Sequence, residues 1–185
     1  MKLEAGKLRP MQEFDLDRVL QWRNSDRIRA NMFSDHIISE EEHLQWFKQL
    51  KKEQNAYLVF QFNDRPVGLV YFTDIDRYNN KCFWGFYLGE TGLPQGAGLL
   101  MGYWGLEFVF NDLKIRKLCS EVFAFNTASI KYHKKLGFIE EVLLVKHREK
   151  AGQYVDTFIF SLSNDIWEVN KKGVEKSIIN IKCKH

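Results

Sequence analysis

Apolar residues recur along this chain at two periods, and the period decides what each stretch can form. "KLRPM" reads as a short extended start, after which "FDLDRVLQWRN" switches to helical spacing, with Phe14, Val19, Leu20 and Trp22 able to share one face. A second short helix is predicted from Ser25 to Met32 with Ser25 as its N-cap. The segment "ISEEEHLQWFKQLKK" is the clearest helix: Ser39 caps it, Glu42 completes a Ser-x-x-Glu box, and acids lead while lysines trail along the dipole. Its apolar set is Leu44, Trp46, Phe47 and Leu50. Three strand-like runs follow, "AYLVFQF", "PVGLVYFTDI" and "CFWGFYLG", separated by "NDR" and "DRYNN", which predicts an antiparallel meander. "LLMGYWGLEFVFNDL" is apolar on nearly every side and so reads as a buried helix. "KLCSEVFAFN" is a strand, "NTASIKYHKKLGF" a helix ended by Gly137, and "VLLVKHRE" with "YVDTFIFSLS" a hairpin around "KAGQ".

Length and composition narrow this to one globular domain. The chain has 185 residues, 45% of them hydrophobic and 15% aromatic, enough to bury a core without disulfides or metals. The domain is set at residues 1–165, with a C-terminal Lys-rich tail at 166–185 read as a terminal helix with a solvated end. Cys82, Cys119 and Cys183 are odd in number and widely spaced, with no zinc-finger pattern, so they read as reduced thiols and no metal is expected. No apolar run approaches the roughly 20 residues of a membrane span, and "MKLEAGKLRP" lacks a signal-peptide core, so a cytoplasmic protein without membrane contact is predicted. A net charge of +3 agrees with a polyanionic small ligand and is too weak to argue for nucleic acid.

Candidate chemistry clusters in two places. "LPQGAGLL" joins a strand to a helix, where small residues let a ligand approach the first free amides of the helix, a cradle for phosphate; a tight turn at Gly96 and Gly98 is the plainer alternative. In the helix after Asn126, residues Ala128, Ser129, Tyr132, His133 and Leu136 fall on one arc, opposite Lys131, Lys134 and Lys135. Both rings therefore lean inward, and helical geometry does not choose between a packing histidine and a catalytic one. Strand alternation puts Cys119, Glu121, Phe123 and Phe125 on one face, so Glu121 is either a carboxylate whose apolar company suits it to act as a base, or half of an ion pair.

Over residues 7 to 163 this order of elements resembles the GNAT superfamily of acetyl-CoA-dependent N-acetyltransferases. The "QGAG" loop is similar to that family's Arg/Gln-x-x-Gly-x-Gly/Ala pyrophosphate loop at Gln95, Gly96 and Gly98, with Leu100 where the family prefers a small residue. Residues 126–138 resemble its Asn-x-x-Ala/Ser-x-x-x-Tyr-x-x-x-Gly-Phe helix through Asn126, Ser129, Gly137 and Phe138. The resemblance implies an α/β (α+β) fold with a mixed, mostly antiparallel seven-stranded sheet flanked by helices. It implies acetyl-CoA as co-substrate, held by Tyr87, Leu88, Gln95, Gly96, Ala97, Gly98, Leu99, Leu100, Asn126 and Ser129. The family's tyrosine, which protonates the departing thiolate, falls on His133, with Tyr132 in reserve.

Within the family, "WRN" at 22 to 24, "HLQWF" at 43 to 47, "FTDI" and "FWGFYLG" are similar to the PseH-type enzymes. Those acetylate the 4-amine of a UDP-linked 4-amino-4,6-dideoxy-N-acetyl-altrosamine during pseudaminic acid synthesis for flagellin glycosylation. That likeness implies Arg23, His43, Thr73 and Tyr87 around a nucleotide sugar, Glu121 as base acting through water, and direct transfer without a Cys119 nucleophile. Each of the four also has a structural reading: a partner for an acid at Arg23, a first helical turn at His43, a strand position at Thr73, a core aromatic at Tyr87. A protein N-terminal acetyltransferase and a CoA-binding module without turnover are the competing functions, and a homodimer is the assembly to test for.

Overall fold

Residues 1–50 and 55–181 are described by a computed structural model of the chain. Lys51, Lys52 and Cys183 lie outside the described residues. Strand β1 (Gly6–Pro10) leads into a 3-10 turn and three helices, α1 (Leu16–Asn24), α2 (Asp26–Arg29) and α3 (Glu40–Leu50). The meander follows as β2 (Ala56–Phe62), β3 (Arg65–Asp76) and β4 (Lys81–Leu88). Then come α4 (Ala97–Glu107) with a π-type turn over Phe108–Asp112, β5 (Lys117–Phe123), α5 (Thr127–Leu136), the hairpin β6 (Ile139–Lys150) and β7 (Gln153–Ser163), and α6 (Asn164–Ile179). The seven strands form one sheet in the order β1-β2-β3-β4-β5-β7-β6, antiparallel except for the β4–β5 pair. This is the mixed, helix-flanked sheet expected from the sequence.

Central strands that are apolar at successive positions must be covered on both faces, and they are. Across one face, Val59 pairs with Leu69 and Leu69 with Tyr87, and this row packs against Val19 and Trp22 of α1, Ile28 of α2 and Phe47 of α3. The opposite face carries Leu58, Phe60, Val70, Phe72 and Trp84 under α4, Leu136 of α5, and Trp167, Val174 and Ile178 of α6. The Lys-rich segment after residue 165 is therefore helical as far as Ile179 and has one side in the main core. Glu107 of α4 fixes it there, accepting from Trp167 Nε1 at 2.8 Å and from Lys171 Nζ at 2.6 Å.

Three helical details depart from the pattern reading. Phe14 is 76% exposed because it sits in the 3-10 turn before α1, under the Arg9 guanidinium, and Leu16 takes its place on the inner face. The predicted helix from Ser25 to Met32 is a single turn, Asp26–Arg29, and Ser25 Oγ bonds back to Trp22 C=O instead of capping forward. In α3 Leu44 is 37% exposed and His43 is buried in its stead. The Ser39 cap does form, with Glu42 N–H donating to its hydroxyl at 3.1 Å, but the Glu42 carboxylate turns to His36 rather than closing the box.

Candidate active site

Only three residue pairs join β4 to β5: Lys81 to Lys117, Cys82 to Leu118 and Phe83 to Cys119. Beyond Phe83 the strands part, and the notch between them opens into a cavity of about 580 Å³. Its walls come from the parted strands, the start of α4, the inner face of α5 and the loop after α2.

The start of α4 is shaped by Gly96, whose φ of 95° is left-handed backbone that favours glycine. The first intrahelical bond runs from Leu100 N–H to Gly96 C=O at 2.9 Å, so the amides of Gly98 and Leu99 precede the ladder as donors. Of the expected coenzyme-binding residues, Tyr87, Leu88, Gly98, Asn126 and Ser129 line the cavity. Ala97, Leu99 and Leu100 turn their side chains into the core and offer main chain alone, while Gln95 is exposed. Gly96 faces Ile181, whose Cδ1 would lie 2.3 Å from any Cβ placed there.

Helix α5 is set by its ends: Asn126 Oδ1 accepts from Ser129 N–H at 3.0 Å, and Gly137 closes the helix in the left-handed conformation. Its two inward rings then diverge. Tyr132 donates its hydroxyl to Gly98 C=O at 2.7 Å, beside Gly102, which has no side chain to block it. Burial raises the pKa of this phenol, so it keeps its proton at neutral pH. His133 is 1% exposed, stacked on Phe160. Its Nδ1 lies 2.8 Å from Ser129 C=O, which can only accept, and its Nε2 lies 3.3 Å from Trp84 Nε1–H, which can only donate. The ring is thus the neutral Nδ1–H tautomer with both nitrogens occupied. Burial drives its pKa down to about 4, against a weaker opposing pull from the Ser129 carbonyl.

Glu121 stands at the cavity with Arg148 Nη2 at 2.7 Å from its Oε2. The ion pair is present, so the wholly apolar company inferred from alternation is broken by a cation from β6, while the carboxylate still lines the cavity. Thr73 and Tyr87 line the cavity; Arg23 and His43 do not. Arg23 donates to Ser34 C=O at 3.0 Å, and His43 stacks on Trp46 on the α1 side of the sheet. Burial lowers the pKa of His43, offset in part by a bond to the Leu16 backbone. The sequence reading missed Arg27, Phe33, Asp74, Trp84 and Arg148 in the walls. The one local signal was the run of charges at the end of β6. Asp74 owes its place to a bulge that breaks the β3–β4 register and puts it at φ 51°, which alternation does not reveal. Among the described residues no group of three or more His, Cys, Asp or Glu side chains could hold a metal.

A sheet split between β4 and β5 beside a glycine-led helix start fits the acyltransferase class implied by the resemblance, and the family comparison agrees. Residues 7–139 match the acetyltransferase (GNAT) domain, and the chain belongs to that family. It is an N-acetyltransferase with acetyl-CoA as co-substrate. Among relatives, it is 31% identical over 149 residues to the uncharacterized N-acetyltransferase YokL of the SPbeta prophage in Bacillus subtilis (strain 168), covering 78% of this chain and 83% of that protein. It is 27% identical over 126 residues to the acetyltransferase PseH of Campylobacter jejuni, covering 67% and 76% respectively. The spermidine N-acetyltransferase of Vibrio cholerae in complex with CoA and spermine superposes with a TM-score of 0.83 at 18% identity, over 89% of this chain and 99% of that one.

Proposed function

We propose that this enzyme acetylates the 4-amine of a UDP-linked 4-amino-4,6-dideoxy sugar of the N-acetyl-altrosamine type, as in pseudaminic acid synthesis. The observation that carries the reading is the presence of two guanidiniums at the acceptor end. Arg27 and Arg148 both line the cavity, where they face the carboxylates of Asp74 and of Glu121, the latter paired with Arg148. Guanidinium groups suit a diphosphate. A polyamine acceptor calls for a surplus of carboxylates, and here two guanidiniums balance two carboxylates, so the likeness in fold to the spermidine enzyme does not carry its substrate across. The relationship to PseH supports the same choice. Buried free thiols at Cys82 and Cys119 fit a cytoplasmic setting.

In this scheme acetyl-CoA lies with its diphosphate at the Gly98 and Leu99 amides and its thioester in the notch. The acceptor amine gives up a proton, through water, to Glu121 and attacks the thioester carbon. The new C–N bond forms as the C–S bond breaks, and the thiolate takes its proton from Tyr132. Tyr132 replaces His133 as our candidate acid because its phenol carries a proton at neutral pH, whereas the His133 Nε2 has none and is occupied by Trp84. Burial raises the pKa of the Cys119 thiol, which makes it a poor nucleophile and favours direct transfer.

The test is thiol release from acetyl-CoA with a panel of amines: UDP-4-amino sugars, dTDP-4-amino sugars, N-terminal peptides and spermidine. We expect turnover with the UDP-4-amino sugar. Turnover of spermidine or peptides with none of any nucleotide sugar would overturn the assignment.

A further inference from the structure

The last residue of β6 reaches across the sheet to the loop that joins α2 to α3. The Lys150 side chain is only 10% exposed. Its ammonium donates to Met32 C=O at 2.7 Å, to Arg29 C=O at 3.1 Å and to the Asp35 carboxylate. An ammonium has three protons to give, and here all three are used on the last residue of α2 and the loop that follows it. The neighbouring Ala151 N–H donates to the other Asp35 oxygen at 3.1 Å, so the β6–β7 turn and the loop are joined at both sides of that carboxylate.

What the loop carries makes this tie functional. Asn31, Met32 and Phe33 form part of the cavity wall. Phe33 packs edge-on against Phe123 with centroids 5.1 Å apart, and its face lies 4.7 Å from the Arg148 guanidinium, the same group that holds Glu121. A shift of the loop therefore moves the aromatic ring against which Arg148 is set, and with it the carboxylate. The groups assigned to the donor, the α4 start and Tyr132, stand on other elements.

We infer that Lys150 is a positioning residue for the acceptor: its buried ammonium fixes the wall formed by residues 30–35, and through Phe33 and Arg148 the Glu121 carboxylate. The inference rests on acetyl transfer occurring in this cavity and holds whichever amine is acetylated.

The experiment compares full-length wild type with Lys150→Met, which keeps the stem and loses the charge, using the UDP-4-amino sugar, with spermidine and an N-terminal peptide in parallel. Loss of charge-assisted hydrogen bonds of this kind should raise the acceptor KM about tenfold. The acetyl-CoA KM should stay unchanged, and amides 31–35 should exchange faster with deuterium. Lys150→Arg should recover most of the acceptor affinity. Asp35→Asn, made from the solvent side, should shift the acceptor KM in the same direction by less, and it decides the matter should Lys150→Met fail to fold. An unchanged acceptor KM in the folded variant, or equal increases in both KM values with a lowered Tm, would overturn the inference. If only spermidine or the peptide is acetylated, the substrate assignment above fails, and the Lys150 comparison is made with that amine.

Discussion

Tyr132 and His133 are neighbours on one helix, both turned inward, and their hydrogen bonds separate their roles. The phenol ends at the carbonyl of Gly98 inside the cavity, and the imidazole is locked between Ser129 and Trp84. Tyr132→Phe should lower kcat by about 10² or more, the ordinary worth of a positioned acid, with the acetyl-CoA KM nearly constant. A kcat within twofold of wild type would remove the phenol from the scheme. His133 bears instead on stability. Its folded pKa, near 4, lies below the roughly 6.5 of an unfolded chain, so below that value the unfolded state binds the extra proton. The contribution is therefore complete above about pH 6.5 and lost as pH falls toward 4. His133→Gln should flatten the acid limb of a Tm-versus-pH curve by up to one proton; an equal slope in both proteins would contradict the burial argument. The motif spacing pointed to His133, and it could not register that the indole of Trp84, from a strand some fifty positions earlier, would occupy the nitrogen that matters.

Among the elements, α4 shows how a helix that is apolar all round still has sides. A Cβ on Gly102 would lie 2.2 Å from the Tyr132 hydroxyl and 2.9 Å from Leu136 Cδ1, so the missing side chain is what admits the phenol. Gly102→Ala should push that hydroxyl off Gly98 and reduce kcat far more than it lowers Tm, measured by thiol release alongside thermal melting. Full activity in that variant would show that the ring has another productive position. The meander, the buried α4, the Asn126 and Gly137 ends of α5 and the "KAGQ" turn were all legible in the sequence, because each depends on local periodicity or on backbone preferences of single residues. The fates of Phe14, Leu44 and His43 were not legible. They depend on where a 3-10 turn gives way to a helix and on which helix face meets the sheet. Arg148 and Lys150 escaped for a similar reason, since a charged strand end looks the same whether it meets water or a loop more than a hundred residues away.

At the scale of the whole molecule, two cores on opposite faces of one sheet hold together the seven strands and six α-helices of the described residues. The walls of the notch come from α4 and α5 on one face, the side proposed for the donor, and from α2 and its following loop on the other, the side proposed for the acceptor. Element order was legible in the sequence, but the wall formed by α2, its following loop and the end of β6 is assembled from segments far apart in the chain, and so its chemistry could be read only after folding. The short β4–β5 seam has one further consequence. A strand border left without a neighbour normally invites any passing polypeptide. Here the two bare borders face the cavity between β4 and β5, so the unpaired amides and carbonyls that elsewhere recruit a stray strand are turned toward whatever occupies that space.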